Sequence, residues 1–262
     1  MAMDMNYKLL ADTALLAGEI MLCGGAETFR VEDTMSRILR ISGLQRTETY
    51  VTPTGIFLTL GDSSIDMITL VRRVDNRITN IANIYTANNI SRNLCSGAIT
   101  LEEAYARLKG MDKSREYGDA AYYICTMLAS LAFTVLLGGG WLDCLIAGLN
   151  GGIIVMIYIL TKGRRINTFI KNMLASIFIA FSSMLFMHKL ELPLQPDALI
   201  GGSVMPLLPG VAITNAIRDT LQGDYVSGAA RGIEAFVTAA ATAAGIGVGM
   251  AVFTLLWGGT AV

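Results

Sequence analysis

Residues Ser203–Leu221 read SVMPLLPGVAITNAIRDTL, and the architecture of the chain turns on them. The stretch is apolar enough to enter a bilayer, yet Pro206, Pro209 and Gly210 stand in its middle. Proline removes a backbone donor and clashes with the preceding turn, so a helix here is expected to kink or break near Leu207–Gly210. In hydrocarbon, freed backbone groups are tolerated only where protein or a water-filled cavity satisfies them. Transporters build midplane binding sites from such broken helices. Asn215, Arg218 and Asp219 follow at i, i+3 and i+4, on one helical face. The expectation is an element that lines a solute pathway.

On either side of this stretch the chain divides in composition. Met1–Gly118 carries 13 Lys/Arg and 14 Asp/Glu, whereas the longer Asp119–Val262 carries 7 of each. The first part reads as a soluble domain and the second as a membrane domain. Neither has the basic excess that nucleic acid requires, so no nucleic-acid partner is expected. Cys23, Cys95, Cys125 and Cys144 form no CxxC pair, which points to reduced or lipid-buried thiols rather than disulfides or a metal site. His188 is the single histidine, placed at a helix end, and no Ser-His-Asp or Cys-His arrangement is legible. No cofactor is expected, since neither a phosphate loop nor a GxGxxG after a strand occurs.

The membrane part holds five apolar runs, at about 120–137, 141–160, 168–188, 198–221 and 230–257, the fourth being the interrupted one. Trp141 stands at an interface position. Lys162, Arg164 and Arg165 crowd the Thr161–Asn167 loop, while Gly138–Asp143 has no Lys or Arg. The positive-inside rule therefore puts Thr161–Asn167 in the cytoplasm, the N-terminal domain with it, and Val262 outside. No signal peptide is legible, because Glu19, Asp4 and Asp12 interrupt or precede the apolar run Ala14–Cys23. Ala241, Gly245 and Gly249 repeat every four residues, as do Ala239, Ala243, Gly247 and Ala251, and Gly148 with Gly152; such stripes permit close helix packing in lipid. Glu234 enters the fifth run three residues after Arg231 and can pair with it. A charge within a span usually faces a partner or water.

The N-terminal part alternates helical and strand patterns. Met5–Leu22 and Glu27–Ser42 are helical, the latter with Val31, Met35, Ile38 and Leu39 facing inward. Glu48–Leu60 and Ser64–Val74 read as paired strands, and Asp75–Asn93 and Thr100–Lys109 as helices. The fold class is an α-helical membrane protein of five transmembrane helices preceded by a cytosolic α+β domain, ααββαα. Gly24, Gly25, Glu27, Arg30, Glu32 and Asp33 concentrate at one helix start, and Thr52-Pro53-Thr54-Gly55 makes a polar turn inside a strand-like run. Two readings are open: an anion site at the helix N-terminus, or plain caps and a bulge.

GGAETFRVEDTMSRI with the later VTPTGIFL, and PLLPGVAITNAIRDTLQGDYVSGAARGIEAF, resemble the threonine/serine exporter (ThrE) family. The resemblance runs over nearly the whole chain. Because the chain stops after the fifth run, it looks like the split form (YjjP-like), whose second membrane block is a separate small membrane protein (YjjB-like). The resemblance implies secondary export of threonine and serine, or of a dicarboxylate such as succinate, across the bacterial inner membrane. The motif residues it marks are Gly24, Gly25, Glu27, Arg30, Glu32 and Asp33, then Pro206, Pro209, Gly210, Asn215, Arg218, Asp219, Asp224, Gly228, Arg231 and Glu234. From their placement beside the break, Asp219 or Glu234 is expected to carry a proton, and a half-helix N-terminus to meet a substrate carboxylate. Two other classes stay open: a membrane-tethered enzyme acting through Glu27, Glu32 and Asp33, and a ligand-sensing regulatory subunit.

Overall fold

The computed structural model describes residues 5–75, 77–111, 118–164, 166–189 and 192–257. Arg165, one of the three loop cations, lies outside them. The chain forms two compact units: Met1–Glu116 with Val211–Ile233, and Tyr117–Gly210 with Glu234–Val262. Val211–Ile233, expected to belong with the membrane part, groups with the N-terminal residues.

In the first unit α1 (Tyr7–Cys23) packs on α2 (Thr28–Arg40). Val31, Met35, Ile38 and Leu39 are all buried, as their spacing predicts. Gly18 lets the helices close, since a β-carbon there would sit 2.3 Å from the Met35 sulfur. The strand pattern resolves into three strands rather than two: β1 (Arg46–Thr52), β2 (Gly55–Asp62) and β3 (Ile65–Arg73), an antiparallel meander in chain order. Pro53 and Thr54 form the turn that splits the first run, with Thr52 opposite Gly55; proline cannot donate to a continuing ladder. Val51, Ile56, Leu58 and Leu60 complete the core.

Next, α3 (Ile81–Cys95) starts later than its pattern suggests. The residues before it are held elsewhere: the Ile78 and Asn80 amides donate to the Cys23 and Gly24 carbonyls, both at 2.9 Å. Asn80 then caps α3 through the Asn83 amide at 3.0 Å. Finally α4 (Leu101–Lys109) starts on Thr100, whose hydroxyl accepts from the Glu103 amide.

The second unit is helical: α5 (Asp119–Leu136), α6 (Trp141–Leu160), α7 (Thr168–Lys189) and α8 (Pro196–Val204). A single tight turn, Met205–Leu207, extends α8. Leu208 is then extended (φ −72°, ψ 139°) and Pro209 follows, so the helix stops. The chain resumes as α9 (Gly210–Leu221) and α10 (Tyr225–Trp257). Among the described residues four helices are long and apolar enough to cross a membrane, or five if the broken pair counts as one span.

Glycines set the packing here. β-Carbons at Gly245 and Gly249 would lie 2.5 and 2.4 Å from carbonyl oxygens of Met173 and Ile177 on α7. The other stripe is not used in this way, since nothing lies within 4 Å of a β-carbon at Gly247. At Gly202 a β-carbon would meet Thr134 on α5 at 2.0 Å. His188 stacks against Phe253, 5.6 Å between ring centres, within a cluster of Phe181, Phe253 and Trp257. Lys162 pairs with Asp119 at 2.8 Å.

Candidate functional site

Gly24 ends α1, and Gly25 turns the chain at φ +88°, a region closed to most residues. Gly25, Ala26 and Glu27 then run to α2 outside any repeating structure, so their backbone groups need partners. The second motif supplies them. Asn215 Nδ2 donates to the Gly25 carbonyl at 2.9 Å, and Arg231 Nη2 to that of Ala26 at 2.8 Å. Glu27 stands at the cap position of α2 but its side chain does not cap. Asp219 does so instead, accepting the Thr28 N–H on Oδ1 at 3.2 Å. The Thr28 hydroxyl donates to Asp224 Oδ2 at 2.9 Å, while Asp224 Oδ1 caps α10 through the Ser227 amide at 3.1 Å. Gly228 lets α10 close on α9, because a β-carbon there would lie 2.1 Å from the Thr220 hydroxyl.

Asp219, Arg231 and Glu27 are all buried. Arg231 Nε stands 3.1 Å from Asp219 Oδ2, an ion pair at the positive end of the α2 dipole. Arg218 pairs with Glu27 Oε1, and Arg30 reaches Glu27 Oε2 at 3.3 Å. Burial pushes the Glu27 carboxyl up, but its own backbone N–H, Arg218 and Arg30 outweigh that, and its pKa is lowered. Glu32 goes the other way: burial raises it, and the charges of Asp224 and Asp219 add to the rise. A 2.7 Å bond from the Val51 amide to Glu32 Oε1 opposes the shift.

The two motifs, about 190 positions apart, thus form one interlock within the first unit. It gathers Gly24, Gly25, Glu27 and Arg30 with Asn215, Arg218, Asp219 and Arg231, and Thr28 joins them through its N–H and its hydroxyl. Asn215, Arg218 and Asp219 share a face as their spacing requires, and that face meets the glycine turn. Asp33 stands apart, exposed and bonded to Arg37 at 2.8 Å. Glu234 is exposed and belongs to the second unit. Arg231 engages Asp219 and the Ala26 carbonyl. Pro206, Pro209 and Gly210 mark the break, in the second unit.

The second unit holds polar groups that the sequence reading missed. The Leu207 carbonyl, freed by the break, accepts from Asn172 Nδ2 at 3.0 Å, and Tyr158 holds that amide with a 2.7 Å bond to Oδ1. Asn150 donates to Ser183 and Ser203, 3.1 Å each, and accepts from Ser182 at 2.6 Å. Asn150, Asn172, Ser183 and Ser203 are all buried. Polar residues inside apolar runs were the available signal; Asn150 between Gly148 and Gly151 is the clearest. Among the described residues no group of three or more His, Cys, Asp or Glu side chains could hold a metal ion.

Comparison with known proteins adds the family. A family model described as "Putative threonine/serine exporter" matches residues 12–253. The "Threonine/serine exporter" of Corynebacterium glutamicum is 24% identical over 246 residues, 91% of this chain and 50% of that protein. The "Probable threonine/serine exporter" of Mycobacterium tuberculosis (strain ATCC 25618 / H37Rv) is 23% identical over 245 residues, 90% of this chain and 45% of that protein. The chain therefore spans about half the length of the curated relatives it matches. No solved structure matches it.

Proposed function

Since this chain belongs to the threonine/serine exporter (ThrE) family and carries several membrane-length apolar helices, we propose that it is a multi-pass membrane subunit of a secondary exporter. Its cargo would be small carboxylate metabolites: threonine and serine, as the relatives' names suggest, or a dicarboxylate such as succinate. A separate small membrane protein would work with it, as in the split form that its motifs resemble. The subunit would sit in the bacterial inner membrane with the N-terminal unit in the cytoplasm, as the basic Thr161–Asn167 loop argues.

The observation that carries the reading is the break at Leu208–Pro209 inside an apolar helical unit, with its carbonyl held by Asn172. A plain anchor has no need of a broken span or of a buried amide to satisfy it. Glu234, exposed on α10, and Asp219 remain the proposed proton carriers.

The test is efflux from proteoliposomes loaded with labelled threonine, serine or succinate. They would hold this chain alone, or this chain with the complementary membrane protein, under an imposed pH gradient. Gradient-dependent efflux of at least one solute from the two-protein vesicles is expected. Efflux no faster than from empty vesicles refutes the export reading. Parental rates in both Glu234→Gln and Asp219→Asn refute proton coupling through them.

A further inference from the structure

On α2, Arg30, Asp33, Thr34 and Arg37 are spaced three and four residues apart, and on α3 Asn88, Ser91, Arg92 and Cys95 repeat that spacing. With Ser96 these two stripes line a cleft of about 540 Å³ within the first unit. Packed helices ordinarily face each other with apolar side chains; these stripes are polar almost throughout. Three guanidinium groups meet one carboxylate there. Arg37 Nε donates to Asp33 Oδ2 at 2.8 Å, which leaves its other N–H groups available. Arg30 is partly neutralised by Glu27, a carboxylate it shares with Arg218. Among the described residues the Arg92 side chain has no ion pair or hydrogen bond.

We propose that this cleft binds a small multivalent oxyanion, a dicarboxylate or a phosphate-bearing metabolite, held between the guanidinium groups of Arg37 and Arg92. A planar guanidinium presents paired donors that match two oxygens of a carboxylate or phosphate, so two such groups suit a ligand with more than one anionic oxygen pair. The volume lies in the range of small-molecule sites, and Thr34, Asn88 and Ser91 add neutral hydrogen-bonding groups. Binding at this cleft does not rest on the export reading, since the full chain can be assayed for it without transport.

Cys95 reports on the cleft, since it is exposed and lines it. Burial pushes the Cys95 thiol pKa up, and the Ser91 hydrogen bond and the Arg37 charge only partly oppose it; a bound anion would cover the thiol and offset the Arg37 charge, slowing its alkylation further. The experiment measures N-ethylmaleimide labelling of Cys95 in the purified full chain by mass spectrometry. Cys23, in the same unit but outside the cleft lining, serves as the folding control. Succinate or inorganic phosphate should slow Cys95 labelling several-fold, while acetate at the same ionic strength should not. Protection by phosphate alone assigns a phosphate-bearing ligand, and by succinate alone a dicarboxylate. Arg37→Gln and Arg92→Gln should each raise the half-protecting concentration about tenfold with Cys23 labelling unchanged. The proposal is overturned if neither anion slows Cys95, if acetate slows it equally, or if protection survives in both variants.

Discussion

Asp219→Asn tests the interlock most directly. Asp219 is fully buried and Arg231 nearly so, their charged atoms 3.1 Å apart. The asparagine keeps an oxygen for the Thr28 N–H, so the loss is chiefly the charge opposite Arg231. Leaving one member of a buried pair uncompensated costs about 3–5 kcal/mol. At the lower figure, local opening of the α2 N-terminus becomes roughly 100-fold more frequent. Hydrogen exchange of the full chain in detergent reads this at the amides of Thr28 and Val31, the latter bonded to the Glu27 carbonyl at 3.2 Å. Arg231→Met should produce a comparable increase. The double variant should recover much of the protection, because no orphan charge remains. Exchange within twofold of the parent in Asp219→Asn, or a double variant worse than the sum of the singles, would refute the reasoning.

Gly245→Ala should cost about 1–3 kcal/mol, since its β-carbon meets the Met173 carbonyl oxygen at 2.5 Å, while Gly247→Ala, facing open space, should be neutral or stabilise by under about 1 kcal/mol; thermal unfolding in detergent separates the two. Asn172→Ala strips the Leu207 carbonyl of its donor and should cost about 1–3 kcal/mol by the same measurement. Glu27 has a lowered folded pKa, so its stabilising contribution is present above its ordinary value of 4.5 and is lost as the pH falls through the folded value. Glu32 has a raised one, so its contribution is present below 4.5 and lost as the pH rises through the folded value. Glu32→Gln should therefore raise the melting temperature at neutral pH, the amide oxygen still accepting from Val51, and the gain should shrink toward acid pH.

Local chemistry wrote much of the architecture into the sequence. Gly24-Gly25 had to end a helix, Val31, Met35, Ile38 and Leu39 had to face a core, and Pro209 had to break one. These follow from φ restrictions, missing N–H groups and hydrophobic period, which act within a few residues. The polar turn at Thr52–Gly55 was legible, but whether it is a bulge within one strand or a hairpin that makes a third was decided by which residues pair across it, Thr52 with Gly55. The late start of α3 was hidden because the competing partners of Ile78 and Asn80 are carbonyls more than fifty positions earlier.

The candidate site divides in the same way. Its residue types and their shared helical face were legible, since i, i+3 and i+4 spacing determines which side chains stand together. That Asp219 caps α2, that Arg231 takes Asp219, and that Asn172 satisfies Leu207 were decided by the tertiary structure alone. An unpaired backbone group specifies only that a partner is needed; which distant side chain meets it depends on packing that no local pattern encodes.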